Sequence, residues 1–226
     1  MYQELFDPDY QNRMTAYFAD VLAPKGTIKQ FKKNTLIDPF DADHIYIVLS
    51  GECRQGLISE NGNERTFFRL NRGTIFGEMD YFEGARTCEI THVMEKTELS
   101  IIPRAVLEES LRESPEVYRY FIHSIIRKYR LLMMQLADAR FNDSIGIMAS
   151  ILLRIGAMQE GHDLVERTVI KRPYTHEELA NNLGLSRPTV TSSLNYLKDK
   201  GLISLCDKNI VLEKVDEIKA LINSYW

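Results

Sequence analysis

The sequence predicts an α+β fold in three consecutive parts: an N-terminal β-roll, a long dimerisation helix and a C-terminal winged helix-turn-helix. Three observations predict it. Short β-branched and aromatic runs, separated by turn residues, recur between about Thr27 and Ile102. The 25 residues after Pro115 contain neither Gly nor Pro. Two capped helical segments near the C-terminus are followed by a pair of short apolar runs. On this reading residues 1–113 form the β-roll domain, 114–141 the dimerisation helix and 142–226 the winged helix-turn-helix domain.

Ile45 to Leu49 is a strand that stops at Ser50-Gly51. Cys53 to Ile58 and Thr66 to Leu70 flank Asn61-Gly62, a dipeptide whose easy positive φ suits a tight hairpin. Thr74 to Phe76, Glu89 to Met94 and Thr97 to Ile102 complete the set, which ends at Pro103. Many short strands at even spacing favour a closed barrel or roll.

Beyond Pro103 the pattern turns helical, with a short amphipathic stretch from Arg104 to Arg112. Ser114 is placed to cap the long helix, and Pro115 sits in its first turn, where a missing N–H costs little. Tyr118, Ile122, Ile125, Tyr129, Leu132 and Leu136 recur at alternating steps of four and three, a heptad seam that implies a second copy of the chain. Phe121, Ile126 and Met133 lie off this seam and are expected to pack inward. Asn142-Asp143 interrupts the helix, and a further helix is expected from Ile145 to Met158.

Between Tyr174 and Ile203, Thr175 and Glu178 have the spacing of a capping box, and Leu179 and Leu183 form a buried stripe. Gly184 supplies a turn. Ser186 caps a second helix with Pro188 in its first turn, and Val190, Leu194 and Leu197 face inward. The opposite face offers Arg187, Thr191, Ser192, Asn195 and Lys198. Short polar side chains behind an arginine suit the major groove of double-stranded DNA, where Arg can hold guanine by two hydrogen bonds. Thr175, Ser186, Thr189 and Lys208 complete the candidate contacts. Leu202 to Ser204 and Ile210 to Leu212, bracketing Asp207-Lys208-Asn209, read as a two-stranded wing.

Charge is compatible with this reading. The net −4 is made of −6 over Met1–Ser114 and +2 over the remainder, so DNA binding would rest on a few placed contacts doubled by dimerisation. Cys53, Cys88 and Cys206 are isolated, without metal-ligand spacing, and no run is long and apolar enough to span a bilayer. The first twenty residues are acidic and aromatic, unlike a secretory leader, so a cytoplasmic location without membrane contact is expected. His176-Glu177 begins like a zinc-protease motif, but Ala180 stands where the second histidine is needed. No metal site, cofactor or catalytic constellation is expected, and the chain does not read as an enzyme.

IYIVLSGECRQGL, NGNERTFFRLNRGTIFGE and THEELANNLGLSRPTVTSSLNYLKDKGLI together resemble the CRP/FNR family of bacterial transcription regulators, from about Phe31 to Leu212. The resemblance implies a cyclic-nucleotide-binding-like β-roll acting as an effector sensor, a dimer, a palindromic DNA site and RNA polymerase as a further partner. Arg187 falls where the family commonly places a base-reading arginine. Pro188 and Ser192 depart from the usual acidic residue and second arginine, so the usual half-site does not carry over. The family's nucleotide cradle maps onto Gly77, Glu78, Arg86 and Thr87, with Phe121 and Tyr129 of the long helix beside it. Arg86 follows Glu78 closely, and Glu89 stands near the expected phosphate position. A small-molecule effector other than a cyclic nucleotide is therefore expected. The alternative is a cyclic-nucleotide-binding module whose C-terminal domain contacts other proteins.

Overall fold

A computed structural model describes residues 7–37, 43–84, 88–160, 164–171, 174–207 and 209–223. Two compact units divide the chain within the long helix, one spanning Pro8–Tyr129 and the other containing Arg130–Trp226.

The first unit begins with helix α1 (Pro8–Ala16), a π-helical turn (Tyr17–Leu22) and a 3-10 turn (Ala23–Lys25), none of which the sequence patterns suggested. Eight strands follow: β1 (Thr27–Phe31), β2 (Leu36–Ile37), β3 (His44–Ser50), β4 (Cys53–Ile58), β5 (Glu64–Leu70), β6 (Ile75–Phe76), β7 (Ile90–Val93) and β8 (Thr97–Pro103). They form two antiparallel four-stranded sheets, ordered β1-β8-β3-β6 and β2-β7-β4-β5. Alternation explains the filling: Thr66, Phe68 and Leu70 point inward from β5 while their neighbours stay partly exposed. Phe18, Leu22, Ile45, Ile47, Ile75 and Ile102 make the core, joined by Leu107, Leu111, Val117 and Phe121 from the helices that follow.

Those helices are α2 (Glu78–Glu83), a short turn between β6 and β7, then α3 (Arg104–Glu113) and α4 (Pro115–Phe141). Val117, Phe121, Ser124 and Lys128 form the buried face of α4 within this unit. Tyr118, Ile122, Ile126 and Tyr129 lie on its outward face, each between 45% and 60% exposed.

In the second unit the last turns of α4 meet α5 (Ser144–Glu160), whose buried residues run without a break from Gly146 to Gly156. Asp143 caps α5, its carboxylate accepting from the backbone of Ile145 and Gly146. Asp138 accepts hydrogen bonds from Ser150 (2.7 Å) and Arg154 (3.3 Å), so the buried guanidinium of α5 is neutralised from α4. This pairing explains why the compact unit reaches back into α4, twelve residues before the boundary read from Asn142-Asp143.

The unit continues with β9 (Thr168–Ile170), α6 (His176–Leu183), α7 (Arg187–Asp199), β10 (Ile203–Cys206), β11 (Asn209–Leu212) and α8 (Val215–Lys219). The expected two-stranded wing is a three-stranded antiparallel sheet, ordered β10-β11-β9. Leu179, Leu183, Val190, Leu197, Leu202 and Ile210 bury together against α5. Among the described residues no helix is long and apolar enough to cross a membrane.

Candidate DNA interface and buried polar site

Local chemistry sets the geometry of α6 and α7. Thr175 Oγ1 accepts from the Glu178 amide (3.1 Å), and the Glu178 carboxylate accepts from the Thr175 amide (2.7 Å), so the expected capping box is present. Gly184 closes α6 with φ +66°, a conformation that a Cβ would strain. Ser186 caps α7 by accepting from the Thr189 amide, and the two hydroxyls are 2.7 Å apart. Val190, Ser193 and Leu197 are buried and Leu194 is half-buried, whereas Arg187, Ser192, Asn195 and Lys198 are exposed.

Eight of the nine candidate DNA contacts lie within the described residues, and they fall into three groups. Arg187, Ser192, Asn195 and Lys198 share the exposed face of α7. Thr175, Ser186 and Thr189 use their side chains at helix starts, which orients the two helices. Thr191 is half-buried, its Oγ1 donating to Arg187 O and lying 2.8 Å from His176 Nδ1. Lys208 lies outside the described residues. The contact of His176 with Thr191 joins the start of α6 to α7 and was not legible in the sequence, because the two residues lie fifteen positions apart.

Within the first unit, the effector candidates are placed less uniformly. Gly77 has φ +86° and starts α2, which directs Glu78 inward until it is completely buried. Arg86 and Thr87 lie outside the described residues. Phe121 is a core residue, with ring centroids 5.1 Å from Phe18 and 5.5 Å from Phe82. Tyr129 belongs to the outward stripe of α4 and not to the buried face that carries Phe121.

What Glu78 meets is Lys128. The ammonium donates to Glu78 Oε1 (2.6 Å), Ile75 O (3.1 Å) and Gln55 Oε1 (3.2 Å). All three donors of the ammonium are thereby used. Gln55 lies at a register shift in the β4–β5 ladder and pairs with Thr91 across β4 and β7. Opposed residues of an antiparallel pair share one face of the sheet, so Thr91 joins the cluster. Two fully buried oxygens there, Glu78 Oε2 and Thr91 Oγ1, have no hydrogen-bond partner among the described residues. Lys128 was readable as an inward residue, because it continues the spacing of Val117, Phe121 and Ser124, but its partners come from other elements and leave no trace in the local pattern.

Burial raises the Glu89 carboxyl from an ordinary 4.5 to about 7; Lys128 opposes the shift, and Glu78 and Asp80 add to it. The folded form thus holds a proton that the unfolded chain releases. Stability from this group is full below about pH 4.5 and is lost as pH rises toward 7. Glu89→Gln is expected to flatten that part of the unfolding curve, as measured by urea denaturation at a series of pH values. Cys53, by contrast, is pushed up to about 12 by burial and by Glu52, so its thiol is inert at neutral pH. Among the described residues no group of His, Cys, Asp and Glu is arranged to hold a metal ion.

Comparison with known proteins agrees with both halves of this description. Residues 29–114 match the cyclic nucleotide-binding domain family, and residues 148–221 match the Crp-like helix-turn-helix domain family. The chain is 28% identical over 186 residues to a CRP-like cAMP-activated global transcriptional regulator of Mycobacterium tuberculosis, covering 78% of each chain. It is 25% identical over 191 residues to a global nitrogen regulator of a Nostoc species, covering 83% of this chain and 85% of that one. The solved structure of FixK2 from Bradyrhizobium japonicum superposes with a TM-score of 0.73 at 18% identity, over 89% of this chain and 99% of that one. With its β-roll, its helix-turn-helix and these matches, the chain carries a cyclic-nucleotide-binding-type domain and a Crp-like, DNA-binding helix-turn-helix domain, and as a whole it is similar to transcription regulators of the CRP/FNR type.

Proposed function

We propose that the protein is a cytoplasmic homodimer that binds a two-fold symmetric DNA site and responds to a small-molecule effector in its β-roll, with RNA polymerase as a further partner. The observation that carries the DNA reading is the exposed polar face of α7, with Arg187 at the start of the helix and its hydrophobic back packed into the unit. Two such helices related by a dimer axis would read half-sites about one DNA turn apart. Arg187→Ala should cost roughly 1–3 kcal/mol per half-site and relax the preference at one base pair. Fluorescence anisotropy against a duplex selected from a random pool measures this. Unchanged affinity and unchanged preference would remove α7 from the groove.

The dimer reading is supported by the stripe of Tyr118, Ile122, Ile126 and Tyr129, continued on α4 by Met133 and Leu136, because large apolar side chains exposed in a row usually mark an interface. For the effector, Lys128 is fully occupied, and Glu78, Asp80 and Glu89 make the surroundings acidic. Glu78 Oε2 is an acceptor, so a ligand offering hydroxyl or amide hydrogens suits the site better than a phosphate. The second reading is a cyclic nucleotide, favoured by the family match and by the cAMP-activated relative. Calorimetry with cyclic AMP and cyclic GMP decides between them, since micromolar binding of either that promotes DNA binding would establish the second.

A further inference from the structure

The buried cluster around Glu78 is built to hold one kind of group. Glu78 Oε1, Ile75 O and Gln55 Oε1 converge on a single point, the Lys128 nitrogen, at 2.6, 3.1 and 3.2 Å. All three are acceptors. They come from α2, β6 and β4, so the fold and not the lysine sets their arrangement. A phosphate, which brings acceptors of its own, would face acceptors on every side. A primary ammonium has the matching charge and three donors.

Lys128 does not exhaust the site. With its donors spent, Glu78 Oε2 is left without a partner among the described residues, and so is Thr91 Oγ1. Glu78 and Thr91 are fully buried, Gln55 is 2% exposed and Lys128 8%, so bulk water does not answer these oxygens. The surroundings add negative charge. Asp80 is buried on α2, and Glu89, two residues before Thr91, is turned by strand alternation toward the same sheet face, within electrostatic reach of Lys128 and Glu78. A molecule carrying an ammonium and one further N–H or O–H can therefore satisfy more of the site than the lysine does.

We propose that Lys128 is the resident ligand of an ammonium site, and that the effector is a small primary amine with a second hydrogen-bond donor that takes the lysine's place on Glu78. The proposal rests on the reading of the β-roll as an effector domain. Lys128 ties α4 to the roll while it fills the site, and exchange unties it. Because the lysine is tethered, its local concentration is high, and only a ligand with contacts beyond its ammonium displaces it.

Lys128→Ala deletes the side chain beyond Cβ, and n-propylammonium replaces what is deleted atom for atom. The full-length variant is melted with n-propylammonium chloride, with tetramethylammonium chloride (a cation without N–H) or with 1-propanol (without charge). A saturable rise of a few degrees in melting temperature is expected with n-propylammonium alone. The wild type, its site filled, should not respond, and Lys128→Ala/Glu78→Gln should treat all three alike. If Lys128→Ala is unfolded without additive, the same three are compared for the native circular dichroism they restore on refolding. No selective effect of n-propylammonium on Lys128→Ala, or an equal effect on the wild type, overturns the proposal. DNA affinity, on a duplex selected by the wild type from a random pool, gives the second readout. With its site filled by an untethered ammonium, Lys128→Ala should differ from the wild type by about fivefold or more. Selective binding of n-propylammonium with DNA affinity unchanged within about twofold overturns the effector reading of the β-roll, and the exchange with it.

Discussion

Replacing Lys128 with Met is expected to destabilise the β-roll by about 3–5 kcal/mol, because it strands Glu78 as an uncompensated charge in a fully buried position. The loss comes less from the missing attraction than from the carboxylate left behind. Glu78→Gln in the Lys128→Met background should therefore recover much of the stability. Urea denaturation followed by far-ultraviolet circular dichroism reads both variants. If the single and double variants unfold together, the ion pair contributes nothing beyond packing.

The second large effect is expected on assembly. Ile122→Asp combined with Tyr129→Asp places two charges on the outward stripe of α4, where the native side chains are 53% and 60% exposed. A fully buried large apolar side chain contributes about 1.5–3 kcal/mol. Only a little over half of each side chain remains to be covered, so four such losses across a symmetric interface amount to about 3–7 kcal/mol and would raise the dimer dissociation constant by about 10²- to 10⁵-fold. Sedimentation equilibrium should show monomers, and DNA affinity should fall with the loss of the second half-site. A double variant that still sediments as a dimer places the interface elsewhere.

The choice of these two positions shows where the sequence was legible and where it was not. Caps and turns were readable because they depend on neighbours along the chain: Thr175 with Glu178, Ser186 with Thr189, and Gly184 after Leu183 are each local chemistry. The register of α4 was only half readable. Tyr118, Ile122, Tyr129 and Leu136 lie on the outward stripe, but Ile125 and Leu132 are half-buried at its border. Ile126 and Met133, read as inward, face out at 45% and 47%. A strict seven-residue repeat and a 3.6-residue turn drift apart along a helix, and apolar residues at both 125 and 126 let the sequence satisfy either. Strand β9 was missed because three residues carry too little periodicity, and their pairing with β11 joins residues at least 40 positions apart in the chain. The buried polar site was missed for a related reason: Gln55, Glu78, Thr91 and Lys128 come from four separate elements, and only the fold brings them together.

The Asp138–Arg154 pairing has a consequence for how this chain can be divided. A cut at Asn142, where the helical pattern breaks, would leave the C-terminal piece with the Arg154 guanidinium buried at 3% exposure and no carboxylate to answer it. Met134, almost fully enclosed in the same core, would be lost as well. The DNA-reading portion is therefore not a cassette that begins where its own first helix begins. Any transplant, or any gene fusion in the history of such proteins, has to carry the last turns of the preceding helix with it. The join between the two functions lies inside a continuous helix, where a recombination event has the least freedom to fall.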